Sequence, residues 1–105
     1  MERLLLACLL MVAITDARAQ PAPDPANGRV LVGKLCASCH LIGPQAKGPV
    51  PDGISSFMAI AARPGADATR LEAALLSPTH PAMPIPPLDI RQVQDVTAYI
   101  LTLRP

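Results

Sequence analysis

Large aromatic side chains are almost missing from this chain: among 105 residues there is no tryptophan, one phenylalanine and one tyrosine. Aromatic rings carry much of the burial in most small cores, and a domain of this size is marginal even with them. That leaves an interior built from Leu, Ile and Val alone, or one filled by a bound group. An excess of either charge is missing too, since nine Lys and Arg face eight Asp and Glu for a net charge of +1. No strong steering toward nucleic acid or an anionic membrane follows from that balance. No apolar run approaches the roughly 20 residues that span a bilayer. Nor does any stretch alternate apolar and polar residues as a half-buried strand does.

Cysteine is scarce as well, and the first of the three falls in a segment expected to be removed. Arg3 opens a short basic region, Leu4 to Ile14 form an unbroken apolar run, and Ala17-Arg18-Ala19 places small residues where a signal peptidase reads. This is the pattern of an export signal, with cleavage expected after Ala19. The stretch Leu5-Leu6-Ala7-Cys8 looks like a lipobox, but cleavage before Cys8 would leave too few residues for the basic and apolar regions together. The exported chain then keeps two cysteines, Cys36 and Cys39, separated by two residues. Disulfides that staple exported domains close larger loops, so a different use for this pair is indicated.

All 13 prolines lie beyond residue 19, and they punctuate the apolar stretches. Residues 20–25 (QPAPDP) read as a flexible leader, ahead of a domain over 26–105. Asp24 is placed to cap a helix whose first position is Pro25. That helix is expected to run from about Ala26 into residues 36–40, with Val30, Leu31, Lys34 and Leu35 at helical spacing. Residues 41–53 hold three prolines and three glycines and read as irregular loop. A short helix through Phe57, Met58, Ile60 and Ala61 follows, capped by Ser55 or Ser56 and halted at Arg63-Pro64-Gly65. A third begins at the capping-box pattern Thr69-Arg70-Leu71-Glu72 and ends before Ser77-Pro78. Five prolines between 78 and 88 preclude helix or central strand there. Asp89 and Gln92 then open a last amphipathic helix through Val93, Val96, Ile100 and Leu103. The expected class is all-α: three to four short helices joined by Pro- and Gly-rich loops.

Residues 36–40 read Cys-Ala-Ser-Cys-His. On one helical turn, positions i, i+3 and i+4 share a face, which sets two sulfurs and an imidazole side by side. Three chemistries use such a set. A structural zinc site wants four ligands, and His80 is the one other histidine that could complete it. A redox dithiol expects a surrounding βαβ pattern, which this chain lacks. The third is covalent haem, for which C-x-x-C-H is the attachment signature; export fits it, and haem would supply the bulk the core lacks. A haem iron held by His40 needs a second axial occupant, and Met58, His80 and Met83 are the candidates. Prolines 81 and 84 restrain Met83.

Together these residues resemble a class I c-type cytochrome of the small, soluble, bacterial kind. The resemblance spans about residues 26–104. It rests on Gly28 in the first helix, the CASCH run, Gly48-Pro49 in the loop, Met83-Pro84 late in the chain, and Ala98-Tyr99-Ile100-Leu101 in the last helix. It implies a cytochrome c fold around one covalent haem c. Cys36 and Cys39 would be bonded to the haem, His40 would be the proximal iron ligand and Met83 the distal one. Pro49 would offer its carbonyl to His40, and Gly28 would let Tyr99 approach where the first and last helices cross. The chain departs from the family in having Val32 where an aromatic often precedes the first cysteine. It also has no tryptophan for a haem propionate, leaving Lys47, Arg63 and Arg70 as cations to consider.

The function implied is one-electron transfer in the periplasm rather than enzymatic catalysis. Redox partners would be a dehydrogenase, an oxidase or another cytochrome, with the chain a monomer or a small subunit, bound neither to nucleic acid nor stably to membrane. Two ionised propionates would bring the holoprotein to a net charge of about −1. Docking through an apolar patch around Ala82, Ile85 and Leu88 is therefore expected. The competing readings are a haem-based binder or sensor of small ligands, or an enzyme, in which Met83 is displaced, and an electron-transfer subunit of a larger redox enzyme.

Overall fold

Asp24 starts the first helix as expected. Its backbone is extended and its carboxylate accepts from the N–H groups of Ala26 at 2.9 Å and Asn27 at 3.2 Å. The computed structural model describes residues 20–84 and 87–105, and in it α1 spans Pro25–Leu35. The expected export segment, residues 1–19, lies outside the described residues, as does Ile85 of the expected docking patch. Proline at the first helical position loses no hydrogen bond there, because that N–H has no partner inside the helix. Three more helices follow: α2 over Phe57–Ala61, α3 over Ala68–Leu76 and α4 over Ile90–Leu101. Among the described residues there is no strand, so the all-α class holds.

The boundaries differ from expectation in two places. α1 stops directly before the CASCH run instead of continuing into it: Cys36 is its C-cap, and the N–H groups of Cys36 and Ala37 converge on the Val32 carbonyl at 2.9 and 3.1 Å. Residues 36–40 form a separate turn, in which Cys39 and His40 both donate to the Cys36 carbonyl at 3.1 and 2.9 Å. The spacing of one helical turn survives without a continuous helix. α3 begins earlier than its Thr69 pattern suggests, because Asp67 takes the cap by accepting from the Arg70 N–H at 2.8 Å. At α2 the cap is Ser56, bonded to the Ala59 N–H at 3.1 Å. At α4 the reciprocal capping box forms, with Asp89 accepting from the Gln92 N–H and Gln92 from the Asp89 N–H.

α4 is the hub, packing against α1, α2 and α3. It buries Val96 and Ile100 against Val32, Phe57, Ala61 and Leu71, and Val93 is buried as well. Burying each such aliphatic side chain contributes about 1.5–3 kcal/mol before entropy is counted. Where α1 meets α4 the backbones nearly touch. A methyl group on Gly28 would run into the Asp95 carbonyl and sit 2.9 Å from the Tyr99 Cβ, so only glycine fits without a shift. Asp95 ties the same crossing by accepting from the Asp24 N–H at 2.7 Å and the Asn27 side-chain amide at 2.8 Å. Those two bonds, the backbone one first, hold its carboxyl below the usual carboxylate range; Arg91 adds to them and burial opposes them. At the other end of α4 the Tyr99 hydroxyl donates to the Ile42 carbonyl at 2.6 Å, anchoring the loop that leaves CASCH.

Candidate functional site

The CASCH turn sits on the wall of an apolar cavity of about 500 Å³. Cys36, Cys39 and His40 line it, and its apolar walls include Leu35, Phe57, Ile60, Leu71, Leu75 and Ile100. These residues come from the end of α1, from α2 and α3, and from α4. The residues that would fill a conventional core thus surround a space of ligand size.

His40 is held in a definite orientation. Its Nδ1 lies 2.7 Å from the Ser55 carbonyl, and because a carbonyl only accepts, Nδ1 carries the proton and Nε2 keeps its lone pair. A metal-binding imidazole is prepared in this way. The acceptor is a correction to the sequence reading, which assigned the role to Pro49. Pro49 is exposed, in a loop turned by Gly48 at φ 124°. The Phe57 N–H donates to the Leu41 carbonyl at 2.9 Å, drawing the strip ahead of α2 alongside residues 40–42 and bringing Ser55 to the imidazole. Phe57 also leans over the ring, with centroids 5.0 Å apart at 40°. No residue-type signal marks a backbone acceptor, since every residue carries a carbonyl, and Ser55 was legible only as a possible helix cap.

Of the three candidate second ligands, His80 and Met83 line the cavity and Met58 does not. His80 approaches His40, with ring centroids 6.2 Å apart and planes inclined by 23°. Of the three candidate cations, Arg63 and Arg70 line the cavity and Lys47 does not. Arg63 also donates to the Ser55 hydroxyl at 2.8 Å, while the Arg70 guanidinium lies over Gly65. Among the described residues that line the cavity there is no carboxylate.

The competing chemistries lose their structural support. Among the described residues no three His, Cys, Asp or Glu side chains gather as a site for a lone metal ion, which removes the zinc set of Cys36, Cys39, His40 and His80. A redox dithiol needs a depressed thiol pKa. Burial, reinforced by the neighbouring Cys39, instead pushes the Cys36 thiol up to about 11. Two unpaired cysteines, an oriented imidazole and a large apolar cavity with a thioether and two guanidinium groups on its walls are chemically suited to a haem.

These features define a protein built to hold a covalently attached haem. Comparison with known proteins agrees: the chain is 34% identical over 98 residues to cytochrome c-552 of Bradyrhizobium diazoefficiens, covering 93% of this chain and 92% of that protein. No family model matches the chain, and no solved structure matches it. The chain belongs to the c-type cytochromes, and haem c is its cofactor.

Proposed function

We propose that this protein is a periplasmic one-electron carrier with His/Met ligation. Cys36 and Cys39 are the thioether attachment points, His40 the proximal ligand and Met83 the distal ligand. The observation that carries the reading is the meeting of all four residues on one apolar cavity, with His40 Nδ1 committed to the Ser55 carbonyl. The likeness to a cytochrome c-552 supports it. Haem c, when bound, supplies an iron that accepts or releases a single electron.

The chain's own residues do the rest. Ser55 holds the His40 ring and raises its basicity as a ligand. The thioether of Met83 favours the ferrous state and so raises the potential. Apolar walls keep water from the centre, and Arg63 and Arg70 supply charge for the two propionates. Were His40 and Met83 both to hold the iron, no position would be left for a substrate, which supports electron transfer over catalysis. Residues 1–19 direct export and are removed after Ala19. Among the described residues no helix is long and apolar enough to cross a membrane. Partners are redox proteins such as a dehydrogenase, an oxidase or another cytochrome, met by a monomer or a small subunit.

The test is the visible and far-red spectrum of the holoprotein, oxidised and reduced. The weak far-red band of ferric haem bound by methionine sulfur is expected in the wild type and in Met58→Ala, and lost in Met83→Ala. A wild-type protein without that band overturns Met83 in favour of His80 or an open site, and one that takes up carbon monoxide as readily as an open site does favours a ligand binder.

A further inference from the structure

The cavity holds two imidazoles in the same state of preparation. The Nδ1 of His40 faces the Ser55 carbonyl at 2.7 Å and that of His80 faces the Pro81 carbonyl at 3.0 Å. Carbonyls only accept, so each Nδ1 donates its hydrogen and Nε2 is the nitrogen left to bind a metal. Forty positions apart in the chain, the two rings stand with centroids 6.2 Å apart and planes within 23° of each other.

We infer that His80 is a second ligand for the distal iron position, exchanging with Met83. This rests on the reading of His40 and Met83 as iron ligands. His80 and Met83 line the same cavity and stand three residues apart. Between them lies Ala82 at φ 56°, among the described residues the only non-glycine with a positive φ. An L-residue holds that conformation only at a cost, so the turn that offers both side chains to the cavity is strained. Relaxing Ala82 changes how the residues on its two sides are aimed relative to each other, which is the movement a ligand exchange requires. Imidazole in place of thioether lowers the potential, giving one chain a higher-potential and a lower-potential form.

The experiment uses ferric holoprotein carrying Met83→Leu, which keeps side-chain volume, and Met83→Ala, each with and without His80→Ala. Spin state is read from visible and electron paramagnetic resonance spectra, together with the midpoint potential. Both single Met83 variants are expected to lose the far-red sulfur band yet stay low-spin and six-coordinate, with a lowered potential. Adding His80→Ala is expected to turn them high-spin. Single variants that are already high-spin, or double variants that stay low-spin, overturn the inference. If the wild type itself lacks the sulfur band, the Met83 assignment fails separately. In that event His80→Ala alone must make the wild type high-spin, and a failure to do so overturns His80 as well.

Discussion

The site turns on which atom of which residue is presented. Cys36, Cys39 and His40 were legible because their chemistry resides in side chains at a fixed spacing, and the fold keeps them on one turn. The acceptor for His40 was not, because it is a backbone carbonyl placed by loop geometry. Thr97 presents the opposite case, a side chain whose polar atom has nothing to do. It is 1% exposed, and its hydroxyl has no hydrogen-bond partner among the described residues. A buried hydroxyl without a partner costs about 1–3 kcal/mol, and valine has nearly the same shape. Thr97→Val is therefore expected to stabilise the holoprotein by about 1 kcal/mol, read as a higher denaturant midpoint with unchanged slope. A lower midpoint would mean that the hydroxyl is satisfied.

Among the elements, the crossing of α1 and α4 carries the most consequence. Gly28 was picked out by resemblance, and the structure supplies the reason: its missing side chain is the space that the Asp95 carbonyl and Tyr99 occupy. Gly28→Ala forces backbone against backbone, with no flexible side chain to yield. The expected loss is about 1–3 kcal/mol, as for other overpacked sites, measurable by guanidinium unfolding of the holoprotein. Asp95 makes the same crossing sensitive to acid. Its folded pKa is depressed, so its stabilising effect is complete above the unfolded value of about 3.9. It fades as pH falls through the lower folded value. Thermal unfolding of the wild type should thus weaken below about pH 4, and Asp95→Asn should flatten that dependence while lowering stability at neutral pH. An identical acid profile in the variant would show that other carboxylates govern it. Neither partner of Asp95 was foreseeable, because Asp24 and Asn27 lie about 70 positions away in sequence.

For the whole molecule the question is what fills the middle. Among the described residues the buried hydrophobic set is small: Val32, Val93, Val96 and Ile100 with one Phe, one Tyr, one Leu and one Ala. Leu35, Ile60, Leu75 and Leu88 line the cavity. A group bound only by the folded state stabilises it by mass action, and a covalent one cannot be diluted away. Chain in which Cys36→Ser and Cys39→Ser prevent attachment is therefore expected to keep helix in the far-ultraviolet, bind the dye ANS and lose its cooperative thermal transition. A sharp transition without haem would show that the aliphatic core suffices.

Local chemistry was written plainly in the residues. Asp24, Ser56 and Asp89 cap helices because their short side chains reach nearby N–H groups, the prolines stop helices because they lack a donor, and C-x-x-C-H bears its ligands within one turn. Each of these depends on neighbours a few positions away, so the sequence alone determined them. The Ser55 carbonyl at His40, the approach of His80, the exclusion of Met58 and Lys47 from the cavity, and the Asp95 tie were decided by the tertiary structure. They join residues far apart in the chain, and only the packing of α1, α2 and α3 around α4 sets those distances.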